Sequence, residues 1–327
     1  MIEKFQHTIK EEIEKLSADY SLPPSELYEP IRYMFDMGGK RIRPLFVLLA
    51  CDIYGGRTEE AVAAALALEL FHNFSLVHDD IMDNAPMRRN HPTVHQKWNS
   101  STAILSGDVM LVKAYQLVQK SKIAERILPV FSEMAVKVCE GQQWDLNYEK
   151  VKTISVAQYF EMIGLKTAAL IAASMKIGAL LGGADKNNAE LMNEFGYNTG
   201  MAFQLQDDLL DVYGNEKKFG KQSGGDIIAN KKTYLLIKAI ELSAINRYKK
   251  EELEQWLSFV PKEEKDIAEK IHGVKSIYDF VKVKEITERE INLFHKKAVA
   301  SLEKISAPAD KKKVLADFTS KLLLRES

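Results

Sequence analysis

The chain has 327 residues, 46% hydrophobic and 28% charged, with only 17 Gly and 9 Pro, an ordinary globular composition with ample material for a core. A formal net charge of −1 argues against a general nucleic-acid or anionic-membrane surface, so any anion must be met by locally placed Arg and Lys. Two cysteines, Cys51 and Cys139, give neither a disulfide framework nor metal spacing and read as small buried apolar residues of a reduced, cytoplasmic protein.

Apolar residues recur at helical spacing through the chain, and no run alternates as a strand would. The first helix is expected over 2–17, with Ile2, Phe5, Ile9, Ile13 and Leu16 on one face, which makes it amphipathic and unlike a signal peptide. Further helices are expected over 25–37, 42–54, 58–83, 93–96, 100–119, 122–142, 155–163 and 166–182. The rest follow over 186–213, 226–244, 248–258, 263–272, 275–298 and 310–323. Pro23-Pro24, Gly38-Gly39, Gly55-Gly56, Pro86, Pro92, Gly182-Gly183 and Gly214-Asn215 punctuate them, and Pro44 suits a first helical turn. Residues 163–181 are apolar enough to raise a membrane span, but Lys166, Lys176 and many Ala and Gly point to a packed interior helix. No integral membrane segment is expected. The fold class is therefore all-α: a single domain over 1–327, a large helical bundle around a central cavity.

Two stretches stand out against this background, Asp79-Asp80-Ile81-Met82-Asp83 and Asp207-Asp208-Leu209-Leu210-Asp211. Each sets carboxylates at i, i+1 and i+4, so the first and last share one helix face a turn apart. Three carboxylates in one turn repel each other unless a cation compensates. A hard divalent ion suits such oxygens, and magnesium prefers a few carboxylates, waters and substrate phosphates. On a helical wheel Leu68, His72, Ser75, Leu76, Asp79 and Asp83 fall within one stripe about 100° wide. The motifs lie 128 positions apart, free to face each other across the cavity.

Cations cluster around these motifs. Arg88-Arg89 follow the Pro86 break, and their guanidinium forks suit phosphate, although they could equally pair with the aspartates of their own motif. Gly38-Gly39-Lys40-Arg41-Ile42-Arg43-Pro44 places three cations on a Gly turn that enters a helix, a second anion site without P-loop spacing. Lys166-Thr167 sits at a helix break, where a kink would free carbonyls. Lys221 and Lys231 follow the second motif, poised to close over phosphate.

Together these residues resemble the trans-isoprenyl diphosphate synthase, or polyprenyl synthetase, family from about Gly38 to Thr233. Asp79–Arg89 matches DDxxDxxxxRR without a gap, Phe203–Asp211 matches FQxxDDxxD, Gly38–Pro44 matches GGKxxRP, and Lys166-Thr167 is the KT pair. The loop between Lys221 and Asp226 is one residue longer than in some members. The resemblance implies that Asp79, Asp83 and Asp207 ligate magnesium, with Asp211 alongside, Asp80 and Asp208 in support, and three ions around the bound diphosphate. It gives the allylic diphosphate (dimethylallyl, geranyl or farnesyl) to Arg88, Lys166, Thr167, Gln204, Lys221 and Lys231. It gives isopentenyl diphosphate to Lys40, Arg43, His72 and Arg89. The implied catalytic set is Asp79, Asp83, Arg88, Lys166, Gln204, Asp207 and Lys221.

In the family the residues four and five before the first aspartate, here Ser75 and Phe74, set product length. The wheel turns Phe74 well away from the aspartate stripe, so a floor there requires a helix kink. One aromatic at this site, with no insertion in the first motif, resembles short-chain enzymes making geranylgeranyl (C20) or farnesyl (C15) diphosphate. A homodimer is implied by the resemblance alone. A terpene cyclase would carry an asparagine/serine/glutamate second motif rather than a second DDxxD, and a non-catalytic regulatory subunit usually loses one aspartate motif.

Overall fold

A computed structural model describes residues 1–214 and 224–323. Its Cα packing divides into two compact units: Met1–Val136, Leu170–Gly196 and Ser301–Leu315 form the first, and Lys137–Ala169, Tyr197–Ala300 and Ala316–Ser327 the second.

The first unit begins with helices α1 (Ile2–Ala18), α2 (Ser25–Asp36), α3 (Ile42–Ile53) and α4 (Thr58–Met82). A two-residue hairpin, β1 (Met87–Arg88) and β2 (His91–Pro92), leads to α5 (Val94–Lys97), α6 (Ser100–Gln119) and the first half of α7 (Ala124–Glu149). Every residue of α4 from Ala64 to Phe71 is buried. A helix apolar on all sides must be wrapped by others, and α3 and α6 pack against it. This core placement fixes the direction in which the acidic end of α4 emerges.

The second unit takes the rest of α7, then α8 (Val156–Ile163) and a π-helical turn, Gly164–Ala168; α9 (Ala169–Leu181) follows and belongs to the first unit from Leu170. The C-terminal half of α10 (Lys186–Tyr213) follows, with α11 (Gly225–Ile228), α12 (Tyr234–Ser243), α13 (Arg247–Ser258), α14 (Glu264–Phe280), α15 (Val283–Lys304) and the end of α16 (Ala309–Leu323). Its core gathers Tyr159, Leu205, Leu209, Leu235, Ile277 and Tyr278.

The observed helices differ from the expected ones where tertiary contacts override local signals. α7 runs to Glu149, past the expected end at 142, because Gly141 continues the helix while the backbone of Lys166 crosses it where a side chain would collide. The expected helix 226–244 is interrupted: Asn230 turns left-handed (φ 51) and the Thr233 side chain caps the new helix at Leu236 N–H. Gly273 does not break α14, since the Trp256 ring covers the face that a Cβ would fill. Lys282 (φ 58) makes that turn instead.

Cys51 is buried, with burial pushing its thiol up to about 11, whereas Cys139 is exposed, contrary to the expectation that both lie inside. Two stretches, Thr58–Met82 and Val156–Leu181, are long and apolar enough to cross a membrane, yet their apolar windows are 67% and 78% buried, as core helices are.

Candidate active site

The first aspartate motif closes α4. Asp83 is the C-cap; Asn84 follows in the left-handed region (φ 48), donating to Ile81 O, and Ala85 N–H donates to Asp80 O at 2.9 Å. These two bonds are a Schellman end, for which Asn is one of the few tolerated residues besides Gly. The hairpin then turns on Arg89 (φ 50) and Asn90 (φ 62), two successive left-handed residues as a type I′ turn requires. That turn brings Arg88 back onto the helix end. Its Nε donates to both Asp80 carboxylate oxygens (2.9 and 2.7 Å) and its Nη2 to Oδ1 at 2.7 Å.

The three aspartates therefore divide. Asp80 is 1% exposed and committed to Arg88, while Asp79 is partly exposed and Asp83 exposed. Of the two readings of Arg88, the structure realises the one that pairs it with its own motif, leaving Nη1 as the nitrogen that could turn to a phosphate.

The second motif, at the end of α10, repeats the division. Asp208 is 4% exposed and accepts from Tyr159 Oη (2.6 Å) and Gln204 Nε2 (2.8 Å), while Gln204 Oε1 accepts from Thr167 Oγ1 (2.8 Å). Burial and the neighbouring Asp226 raise the Asp208 carboxyl above the usual range, and the Tyr159 hydroxyl is pushed far above 10 by burial and by Asp208. Asp211 is partly exposed and turns one oxygen, Oδ2, to the Asp226 N–H at 2.9 Å. Asp207 is exposed. The Gln204 amide and Thr167 hydroxyl, expected to hold the allylic diphosphate, are here engaged in a chain that ends on Asp208.

The π-turn realises the helix break expected at Gly164. Lys166, on that turn, is held by Asp145 Oδ2 at 2.6 Å. Lys231 is exposed, its N–H bonded to Asp226 O and its ammonium 3.9 Å from the Asp226 carboxylate. Lys221 lies outside the described residues.

A cationic cluster surrounds the turn into α3. Gly38 (φ 73), Gly39 (φ 131) and Arg41 (φ 47) all adopt left-handed backbone; for Arg41 that costs about 1–2 kcal/mol. The Arg41 fork holds the turn, with Nη1 donating to Glu69 Oε1 (2.5 Å) and Nη2 to Phe35 O (2.8 Å). Arg89 donates to Gly38 O, and its guanidinium lies so close over Gly39 that a Cβ would stand 2.9 Å from it. His72, enclosed by Arg43, Arg89, Arg88 and Arg41, has its pKa pulled well below 6.5, first by desolvation and then by those charges. Within this cluster of Lys40, Arg41, Arg43, Arg88 and Arg89, Arg41 pairs with the buried Glu69 (2% exposed) and Arg88 with the buried Asp80 (1% exposed). A cavity of about 750 Å³ opens beside the turn, lined by Lys10 and Glu14 of α1, Arg32 and Asp36 of α2, and Lys40 and Arg41.

Phe74 is buried, 5.4 Å from the Phe71 ring and 4.8 Å from that of His78. α4 is helical without interruption through this region, so no break redirects Phe74 toward the aspartate stripe. Ser75 Oγ bonds back to His72 O at 2.9 Å.

Three site residues escaped the sequence reading. Glu69 had a signal, a lone carboxylate inside the apolar run Ala61–Leu76. Asp145 and Tyr159 had none, because their partners are reached only once the helices pack.

A family model described as polyprenyl synthetase matches residues 24–274. The chain belongs to the polyprenyl synthetase family. It is 38% identical over 315 residues, 90% of each chain, to the geranylgeranyl diphosphate synthase of Sulfolobus acidocaldarius. A crystal structure of a geranylgeranyl pyrophosphate synthase superposes over 100% of this chain and 99% of its own, with a TM-score of 0.93 and 39% identity. Another, from Corynebacterium glutamicum and complexed with isoprenyl diphosphate and magnesium, covers 99% of this chain and 98% of its own, with a TM-score of 0.85 and 25% identity.

Among the described residues of this polyprenyl synthetase, no three His, Cys, Asp or Glu side chains group closely enough to hold a metal alone. Magnesium fits nonetheless, since it takes one or two carboxylates and completes its shell with water and phosphate. Both motifs also sit at helix C-termini, where the macrodipole repels carboxylates and a cation relieves the cost.

Proposed function

We propose that this polyprenyl synthetase is a trans-prenyltransferase that joins isopentenyl diphosphate to an allylic diphosphate (dimethylallyl, geranyl or farnesyl). Its main product is geranylgeranyl diphosphate, and residues 1–327 act as one catalytic domain in a cytoplasmic homodimer. The observation that carries this reading is the division of labour within each motif. Asp80 and Asp208 are buried and pinned, while Asp79 and Asp83, and Asp207 and Asp211, stay within reach of solvent. Two such pairs, in a chain that also carries the five-cation cluster, suit two diphosphates handled in one turnover.

Asp79, Asp83, Asp207 and Asp211 would hold magnesium, three ions with the allylic diphosphate. Bound there, magnesium supplies charge stabilisation for the departing diphosphate. Arg88 Nη1, Lys166 and Lys231 add fixed positive charge on the same leaving group, the electrostatic work that dominates such steps. Lys221 belongs to the same set. Lys40, Arg43 and Arg89 bind isopentenyl diphosphate, with His72 uncharged beside them as a hydrogen-bonding group.

The allylic C–O bond breaks with its electron pair leaving on diphosphate. The isopentenyl double bond attacks the resulting cation, and the released diphosphate takes the proton that restores a double bond. Thr167 and Gln204 keep Asp208 and the α10 face in register for this step.

The test is incubation of purified protein with magnesium, isopentenyl diphosphate and each allylic primer, followed by chain-length analysis. A C20 diphosphate is expected. Cyclic hydrocarbon, or no elongation with any primer, would overturn the reading.

A further inference from the structure

The turn that presents Lys40 and Arg43 is built from left-handed residues, including a non-glycine one, and must be held from outside. What holds it is a carboxylate with no substrate duty. Glu69 lies on α4 one turn before His72, is 2% exposed, and accepts from Arg41 Nη1 at 2.5 Å. Asn73, fully buried, steadies it further: its Nδ2 donates to Glu69 O at 2.7 Å and to Glu69 Oε1 at 3.4 Å.

Arg41 in turn bonds Phe35 O at 2.8 Å and stands over the Phe35 ring at 5.8 Å, so it cannot swing toward a ligand without releasing the turn. The charges of Glu69 and Arg41 both act on Arg89, the guanidinium stacked on Gly39. Of the three cations of Lys40-Arg41-Ile42-Arg43, the middle one is therefore structural. Its neighbours are aimed by it.

We propose that Glu69 is a positioning residue for isopentenyl diphosphate, acting through Arg41. By anchoring that guanidinium it fixes the backbone from Gly38 to Arg43 and sets where Lys40, Arg43 and Arg89 meet the phosphates. A buried carboxylate held by Arg41 and Asn73 is suited to this, because its bonds lie within the fold rather than to ligand. The inference rests on the isopentenyl diphosphate reading of this turn.

The test compares steady-state constants for Glu69→Gln, Arg41→Gln, the double variant and Arg43→Gln. Glu69→Gln keeps the side-chain shape and removes the charge. It should raise KM for isopentenyl diphosphate about tenfold and leave KM for farnesyl diphosphate unchanged. The same change made in an Arg41→Gln background should add almost nothing, since the two act as one unit.

An unchanged isopentenyl diphosphate KM in Glu69→Gln, an equal rise for both substrates, or additive effects in the double variant would overturn the proposal. Arg43→Gln separates the two claims. If it raises KM for isopentenyl diphosphate while Glu69→Gln does not, only the positioning role fails; if it leaves that KM unchanged, the substrate reading of the turn fails. Should Glu69→Gln prove too unstable to assay, Arg41→Gln alone must reproduce the selective rise in KM or the proposal falls.

Discussion

Asp80 and Asp83 stand on one helix end and do opposite work. Asp80 is 1% exposed and bonded to Arg88, so Asp80→Ala strands a partly buried guanidinium and should cost about 2–3 kcal/mol of stability. Asp83 is exposed at the C-cap of α4; Asp83→Ala should change stability by less than about 0.5 kcal/mol while lowering turnover about 10²–10³-fold. Urea denaturation beside steady-state kinetics checks both. Equal stability losses would contradict the division.

His72 gives a pH signature. Its folded pKa is lowered below 6.5 by desolvation and by the surrounding arginines, so the unfolded chain binds the proton first and stability falls as pH drops below that value. Between pH 7.5 and 5.5 the native protein should lose about 1 kcal/mol more than His72→Gln, read from denaturation midpoints at the two pH values. Phe74→Ala tests the borrowed chain-length role: a longer product supports it, and an unchanged product rejects it.

At the scale of elements, the π-turn Gly164–Ala168 depends on Gly141, whose missing Cβ admits the Lys166 backbone. Gly141→Ala should cost about 1–3 kcal/mol by overpacking and slow turnover by displacing Lys166 and Thr167, checked by thermal unfolding and kinetics on one sample. The Gly164 break itself was legible in the sequence, as were the ends of α4 and α6, because periodicity and Pro or Gly signals act within a few residues. The extension of α7, the continuous α14 and the left-handed turn at Asn230 were not, since each depends on a partner far along the chain: Lys166, Trp256, and the carbonyl of Leu257 that Asn230 Nδ2 reaches at 2.9 Å. The site divided in the same way. The spacing of the aspartates showed which would share a face, but not that the middle ones would be claimed by Arg88 and Tyr159. Nor could it show that the Lys166 ammonium would rest on Asp145.

For the molecule as a whole, α6 exposes Ile104 (44%), Leu105 (57%) and Val112 (57%), an apolar row that a second copy would cover. In the proposed homodimer, Ile104→Glu with Val112→Glu should therefore halve the mass measured by light scattering; an unchanged dimeric mass would place the contact elsewhere, and a monomeric mass before substitution would overturn the homodimer. The central proposal is that the two aspartate motifs serve one diphosphate in one turnover. A kinetic cycle of Asp83→Ala, Asp207→Ala and the double variant, with isopentenyl and farnesyl diphosphate at saturating magnesium, tests it most directly. Each single variant should lose about 10²–10³-fold, and the double should be little worse than the poorer single, because groups acting as a unit are not additive. Independent, multiplying losses, or a single variant with undiminished turnover, would contradict it.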